Sequence, residues 1–274
     1  MGNQRKVLDI RGRRFGGGTP LICSSLVGRS AERIANEARS TLAKGADVLE
    51  WRVDFFDGIG DTEAVLATAR GLRAAIGDTP LIFTRRGTRE AGQPMPLGED
   101  AVLRLYGAVA AAGLIDFLEF EMDSDPAQVR GPRAASQRTA RRVILSYHDF
   151  DATPGLDELV ERFEQAELQM ADVAKIAVMP RVRDDVLNLL IATARADARL
   201  GIPVISMSMG AQGVVTRMMG DAFGSAMTFA VGETRSAPGQ LPIADLRAVF
   251  DVLQRAQGRL TGVRRGDPGI PARL

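Results

Sequence analysis

Lysine is scarce in this sequence. Only Lys6, Lys44 and Lys175 are present, against 32 arginines. Histidine, cysteine and tryptophan each occur once. A single cysteine, Cys23, permits no internal disulfide and cannot by itself build a zinc site, so nothing argues for an oxidising compartment. Within the apolar stretch Leu21–Val27 it reads as a small core residue. The lone histidine, His148, has no second histidine or cysteine beside it, so no metal is expected. A surplus of one charge is missing too. The formal net charge is +1 and both signs are interspersed, which leaves no broad basic face for nucleic acid or an anionic membrane. No apolar run approaches a membrane span. The stretch after Arg13-Arg14 is too short for an export signal, and Lys6 removes Gly2 as a myristoylation site. These absences predict a cytoplasmic protein whose partner is a small molecule.

What is present is a pattern. The 274 residues are 45% apolar and 25% charged, enough for a large core in one α/β barrel or two smaller domains. Apolar strand-like runs fall at Leu21–Val27, Val48–Val53, Leu81–Arg86, Ile115–Met122, Val143–His148, Val173–Met179, Val204–Met209 and Ala226–Val231. Between them lie amphipathic stretches with apolar residues at three-to-four spacing, such as Ser30–Leu42, Thr62–Ala75, Asp100–Ala112, Leu156–Met170, Arg183–Leu200 and Ile243–Ala256. The repeat is roughly thirty residues, the size of a strand-helix unit. Eight such units predict a closed (β/α)8 TIM barrel rather than a doubly wound sheet. The turn after the first run, Val27-Gly28-Arg29-Ser30, also has no GxGxxG. Val7–Ile10 and Arg13–Phe15, joined around Gly12, predict a short hairpin that plugs one end of the barrel. The barrel domain is expected over 1–257. The stretch 258–274, rich in Gly, Pro and Arg, is expected to be a mobile tail.

A barrel builds its active site at the C-terminal ends of its strands. There the run Val173-Ala174-Lys175-Ile176-Ala177-Val178-Met179 carries an amine among apolar residues. Arginine cannot lose its proton in a protein, whereas a desolvated lysine can, so Lys175 offers a nucleophile that suits Schiff-base chemistry. Snorkelling to solvent or pairing with a carboxylate remain the plainer alternatives. By strand alternation His148 shares a face with Ser146 and Ile144. Glu50 and Arg52 share another, as a carboxylate and a guanidinium that need polar partners. Glu119 and Glu121 lie on one face of otherwise apolar sequence and read as neutralisers of Arg or Lys inside the barrel. Met207 and Met209 read as gap-filling packing or a pocket wall. A Gly-rich turn leads from them to Arg217. Asp149 reads as a cap for the following segment.

Six ordered motifs resemble the type I 3-dehydroquinate dehydratases. They are Glu50-Trp51-Arg52-Val53-Asp54, Phe83-Thr84-Arg85-Arg86 with Glu90, Ser146-Tyr147-His148-Asp149-Phe150, Lys175-Ile176-Ala177-Val178-Met179-Pro180, Ser206-Met207-Ser208-Met209-Gly210 through Arg217, and Ser236-Ala237-Pro238-Gly239-Gln240. The family pattern differs at Arg85, where an aromatic residue is usual. The resemblance implies a barrel enzyme of the shikimate pathway, or of quinate breakdown, that dehydrates 3-dehydroquinate through an imine, without cofactor or metal. Barrels of this family are often homodimers. The resemblance makes Lys175 the imine-forming amine, His148 the general acid-base and Glu90 its orienting carboxylate. Arg217 would hold the substrate carboxylate, and Glu50, Arg52 and Arg86 would position its hydroxyls and carbonyl. Ser236 and Gln240 would belong to a lid, with Met207 and Met209 in the pocket wall. Burial and nearby arginines are expected to favour the neutral amine. A class I aldolase on a similar barrel also needs such a lysine, but the Arg217 and Gln240 motifs favour a carboxylated ring over a phosphorylated sugar. A catalytically silent barrel would be expected to lose the amine or the imidazole first.

Overall fold

The structure is a computed structural model that describes residues 6–256, so the expected tail at 258–274 lies outside the described residues. The chain opens with a hairpin of strands β1 (Leu8–Ile10) and β2 (Arg13–Phe15). Its turn places Arg11 and Gly12 at φ 50 and 75, the left-handed pair that a two-residue hairpin of this twist requires. Strands and helices then alternate: β3 (Leu21–Leu26), α1 (Ala31–Ala43), β4 (Val48–Arg52), α2 (Thr62–Ile76), β5 (Leu81–Thr84), α3 (Glu99–Ala112), β6 (Phe117–Glu121), α4 (Pro126–Thr139), β7 (Arg142–Asp149), α5 (Leu156–Leu168), β8 (Val173–Val178), α6 (Arg183–Arg199), β9 (Val204–Ser208), α7 (Gly210–Met219), β10 (Met227–Ala230) and α8 (Ile243–Ala256).

The last eight strands form one parallel sheet in the order β10-β3-β4-β5-β6-β7-β8-β9, the expected barrel. Its seam between β9 and β10 is stitched more thinly than the rest. One bridge pairs Val204 with Ser225, the Ala226 N–H donates to the Val204 carbonyl at 2.8 Å, and the Ser206 N–H donates to Ser225 Oγ at 3.0 Å.

Two stretches differ from the sequence reading. Residues 210–217, read as a Gly-rich turn, lie in helix α7. Gly213 must be glycine there, because a Cβ would sit 2.4 Å from the Ser208 carbonyl carbon. Helix α4 was absent from the amphipathic stretches. It starts on Asp125, which accepts the Ala127 N–H, with Pro126 next, and it carries Pro132 inside.

The inward rows of the strands explain where chemistry is possible. Most begin apolar at the hairpin end and turn polar toward the mouth: Val48, Glu50, Arg52 on β4; Phe117, Glu119, Glu121 on β6; Ile144, Ser146, His148 on β7; β8 places Lys175 between Val173 and Ala177. The hairpin seals the apolar end. Phe15 is fully buried, with its ring 5.2 Å from that of Phe117, in one cluster with Ile10, Val48, Ile82, Ile144 and Ile205. Outward rows such as Leu49, Trp51 and Phe83 pack under the helices. Among the described residues no helix is long and apolar enough to cross a membrane.

Candidate active site

A cavity of about 540 Å³, counting its open mouth, lies at the C-terminal ends of the strands. Lys175 rises from its floor and is only 2% exposed, which rules out the snorkelling alternative. Its Nζ donates to both oxygens of Glu119 at 2.9 Å, stands 3.7 Å from Glu50 Oε1 and lies 4.2 Å from the centre of the Phe229 ring. The expectation that arginines surround the amine is therefore corrected. Its nearest charges are carboxylates, and Arg86 approaches from the far side of Glu119, donating to the same Oε1. Burial alone would raise the Glu119 carboxyl, but Lys175, Arg86 and His148 outweigh it and hold the group well below the usual carboxylate range.

His148 stands on the neighbouring strand. The register pairs Ser146 with Lys175 and His148 with Ala177, so the imidazole sits one inward position nearer the mouth than the amine. Burial, then Arg86 and Lys175, push the imidazole well below its ordinary value, with Glu119 opposing, so it is neutral at pH 7. Its Nδ1 lies 2.7 Å from Glu90 Oε2. A carboxylate there accepts the Nδ1–H and leaves the Nε2 lone pair unprotonated. Glu90 also accepts from Arg86 Nη1 at 2.9 Å. Burial raises its carboxyl against the pull of Arg86 and of the His148 bond. Arg86 Nη1 donates as well to Ser146 Oγ at 3.0 Å. Burial would lower Arg86, but Glu119, Glu90, Glu121 and Glu50 together raise it.

The remaining wall divides into neutralised and unneutralised cations. Arg52 does not pair with Glu50. It makes a two-pronged bond to Asp54 at 2.8 Å for each prong and stacks over Phe55 at 5.0 Å. Glu50 instead accepts Ser25 Oγ–H at 2.5 Å and Thr84 Oγ1–H at 3.0 Å. Ser25 Oγ is in turn 3.0 Å from Ser236 Oγ, which accepts from Gln240 Nε2 at 2.9 Å, so the loop after β10 is tied to the floor of the cavity. Arg217 is different. It is 1% exposed, it has no carboxylate within 4.0 Å among the described residues, and its Nε has no partner. Nη1 touches the Phe229 carbonyl at 3.3 Å and Met207 Sδ at 3.4 Å, and Nη2 the Pro238 carbonyl at 3.1 Å. Burial lowers this guanidinium to about 10. A buried, uncompensated cation facing a cavity is a receptor for an anion.

All eleven residues singled out from sequence line this one cavity: Lys175, His148, Glu90, Glu50, Arg52, Arg86, Arg217, Ser236, Gln240, Met207 and Met209. Sequence reading missed Ser25 and Phe229 on the wall, and it named Phe150 on the wall and Asp54 and Ser146 behind it without giving them a role. Glu119 was read as a neutraliser and is one, but of the central amine and Arg86 together. Its inward position in an apolar strand was the available signal. Asp149 does not cap helix α5, which starts on Gly155; it accepts the N–H groups of Asp151 and Ala152 at 2.8 Å and fixes the turn after β7.

Comparison with known proteins places this geometry in a family. The family model for type I 3-dehydroquinase matches residues 22–257. The 3-dehydroquinate dehydratase of Albidiferax ferrireducens is 48% identical over 254 residues, which are 92% of this chain and 96% of that protein. The enzyme of the same name from Aromatoleum aromaticum is 48% identical over 250 residues, 91% and 96% of the two chains. The crystal structure of 3-dehydroquinate dehydratase from Geobacillus kaustophilus superposes with a TM-score of 0.89 at 44% identity, covering 91% of this chain and 97% of that one. The type I enzyme from Clostridium difficile, solved with covalently modified comenic acid, gives 0.88 at 33% identity over 92% and 99%. On its (β/α)8 frame, matched by the family model and by these relatives over nearly its whole length, this chain belongs to the type I 3-dehydroquinase family.

Proposed function

We propose that this protein dehydrates 3-dehydroquinate to 3-dehydroshikimate in the shikimate pathway, with Lys175 as the imine-forming amine and His148 as the acid-base. The observation that carries the assignment of roles is a lone lysine, 2% exposed, in the same cavity as the chain's one histidine. Lys175 attacks the ketone carbon, and loss of water from the resulting carbinolamine leaves an imine that withdraws electrons from the adjacent carbon. His148, neutral at pH 7, takes the proton from that adjacent carbon. The electron pair moves toward the imine nitrogen and returns to expel the hydroxyl beyond, which leaves as water with the proton His148 gives back. Water then releases the product and the free amine.

Glu119 is held too firmly ionised to take the amine's proton and serves as an orienting anion. His148 is the better acceptor for that proton. Arg217 receives the ring carboxylate, the one unneutralised buried cation of the wall. Arg86, Arg52 and Glu50 stand where ring hydroxyls and the carbonyl would lie. Ser236 and Gln240 close the loop over them, with Met207 and Met209 as the apolar wall.

Borohydride added with 3-dehydroquinate should leave a stable adduct on Lys175, read as added mass on the peptide that contains it. Absence of that mass rejects the imine. His148→Ala should lose turnover by about 10²–10⁴ while still trapping the adduct.

A further inference from the structure

Glu121 ends the inward row of β6 after Phe117 and Glu119, yet it does not line the active-site cavity. Its Oε1 accepts the Gly87 N–H at 2.6 Å and stands 3.7 Å from Arg86 Nη1, while Oε2 is 3.9 Å from Arg85 Nη1. Gly87 is the foundation of the turn that carries Glu90. Its carbonyl accepts the N–H of Glu90 at 3.0 Å and that of Gly92 at 2.9 Å. A Cβ on residue 87 would meet Glu121 Oε2 at 2.8 Å, so any other residue there would push the carboxylate off its present seat against the turn. Behind the turn a second cavity opens, lined by Arg85, Glu90, Glu99, Glu121 and Asp123. Glu90 is thus a wall shared by two cavities, and Glu121 braces it from the side away from substrate.

We propose that Glu121 is a positioning residue for the reaction. Through the Gly87 N–H it fixes the turn that presents Glu90 to His148, and its charge offsets Arg86 beside the imidazole. This rests on the acid-base assignment of His148 and Glu90 made above.

The charges facing Glu121 are Arg85 and Arg86 past β5, Arg89 and Glu90 on the turn, Glu99 at the start of α3, and Asp123 and Asp125 after β6. Those acting on His148 are Glu90, Arg86, Lys175, Glu119 and Arg52. Burial raises the Glu121 carboxyl and Glu90 pushes the same way, against Arg86, the Gly87 bond and Arg85. Removing its charge would leave Arg86 less compensated. Arg86 already pulls the imidazole down, so His148 would then take up its proton at lower pH.

Because His148 is the only histidine, its ring resonances report it without assignment. Glu121→Gln keeps an acceptor for the Gly87 N–H but loses the charge, whereas Glu121→Ala loses both. In Glu121→Gln the His148 titration and the acid limb of kcat/KM should move to lower pH by about 0.5 unit, with kcat within about threefold of the parent. In Glu121→Ala kcat should fall about tenfold or more with KM within about twofold, and Glu121→Gln should recover most of that loss. An unmoved imidazole titration in Glu121→Gln overturns the charge effect. A loss in Glu121→Ala that falls on KM, or none at all, overturns the positioning. His148→Ala is assayed alongside. Undiminished turnover there would sink the acid-base assignment itself, while loss of turnover there with silent Glu121 variants sinks only the present inference.

Discussion

Arg217→Met should make the empty protein slightly more stable and the working enzyme much worse. Burial pulls the guanidinium down from its ordinary value to about 10. That depression corresponds to about 3 kcal/mol against the charged form. The folded value lies below the unfolded one, so the cost is present at full size at every pH well below 10, including neutrality, and fades as pH rises past about 10, where the folded guanidinium gives up its proton before the unfolded one does. Methionine removes this cost. It also removes the N–H contacts to the Phe229 and Pro238 carbonyls, worth about 1 kcal/mol each. The balance is about 1 kcal/mol of added stability, or about 2 °C in a chain of this size. A ring carboxylate entering the variant would find no cation, at about 3 kcal/mol, so kcat/KM should drop roughly 100-fold or more. The assay is thermal unfolding with and without 3-dehydroshikimate, together with kcat/KM from the absorbance of the conjugated product. The wild type should gain stability from the ligand and the variant should not. A variant that melts several degrees lower yet keeps its kcat/KM would show that the arginine braces the fold and does not receive an anion.

The depressed His148 value predicts that the base form is already dominant at pH 6.5, so kcat/KM should hold through that pH and fall only below it. An acid limb centred at 6.5 or higher would contradict this. The same depression means that the unfolded chain binds the proton first, so His148 costs stability as pH falls from about 6.5 toward the folded value. Glu119→Gln leaves Lys175 and Arg86 buried around a neutral amide and should cost about 3–5 kcal/mol. A denaturant midpoint equal to the parent's would show that the two cations find other compensation. Phe15→Ala should lose about 3–5 kcal/mol by opening a void under Phe117. Its kcat should stay close to the parent's because the hairpin closes the end away from the mouth, and a loss of kcat without destabilisation would contradict that separation.

The strands were legible because a buried parallel strand is a continuous apolar run, and the polar interruptions, Glu50, Glu119, His148 and Lys175, then stood out. The helices α4 and α7 were not. Pro132 and Gly131 in one and Gly210 and Gly213 in the other are helix-breaking residues by propensity, kept there by packing that only the tertiary structure supplies. Strand alternation and end position turn Glu50, Arg52, His148 and Lys175 into the cavity, whereas Glu90, Arg217, Ser236 and Gln240, on a turn, a helix and a loop, were legible only through the family resemblance. The pairing inside the cavity was not legible. Whether Arg52 meets Glu50 or Asp54, and whether Lys175 meets an arginine or Glu119, depends on inter-strand register and rotamers that no local pattern encodes.

Seven edges of the cylinder are laced by continuous ladders, while β9 and β10 share only one β-bridge and a few hydrogen bonds at their lower ends. A wall of that kind has a line of give. The loop bearing Ser236 and Gln240 leaves β10 beside this slack edge, so the closure proposed for it would draw on the loose lacing. The firm ladders on both sides of β8 meanwhile keep Lys175 and His148 at constant height.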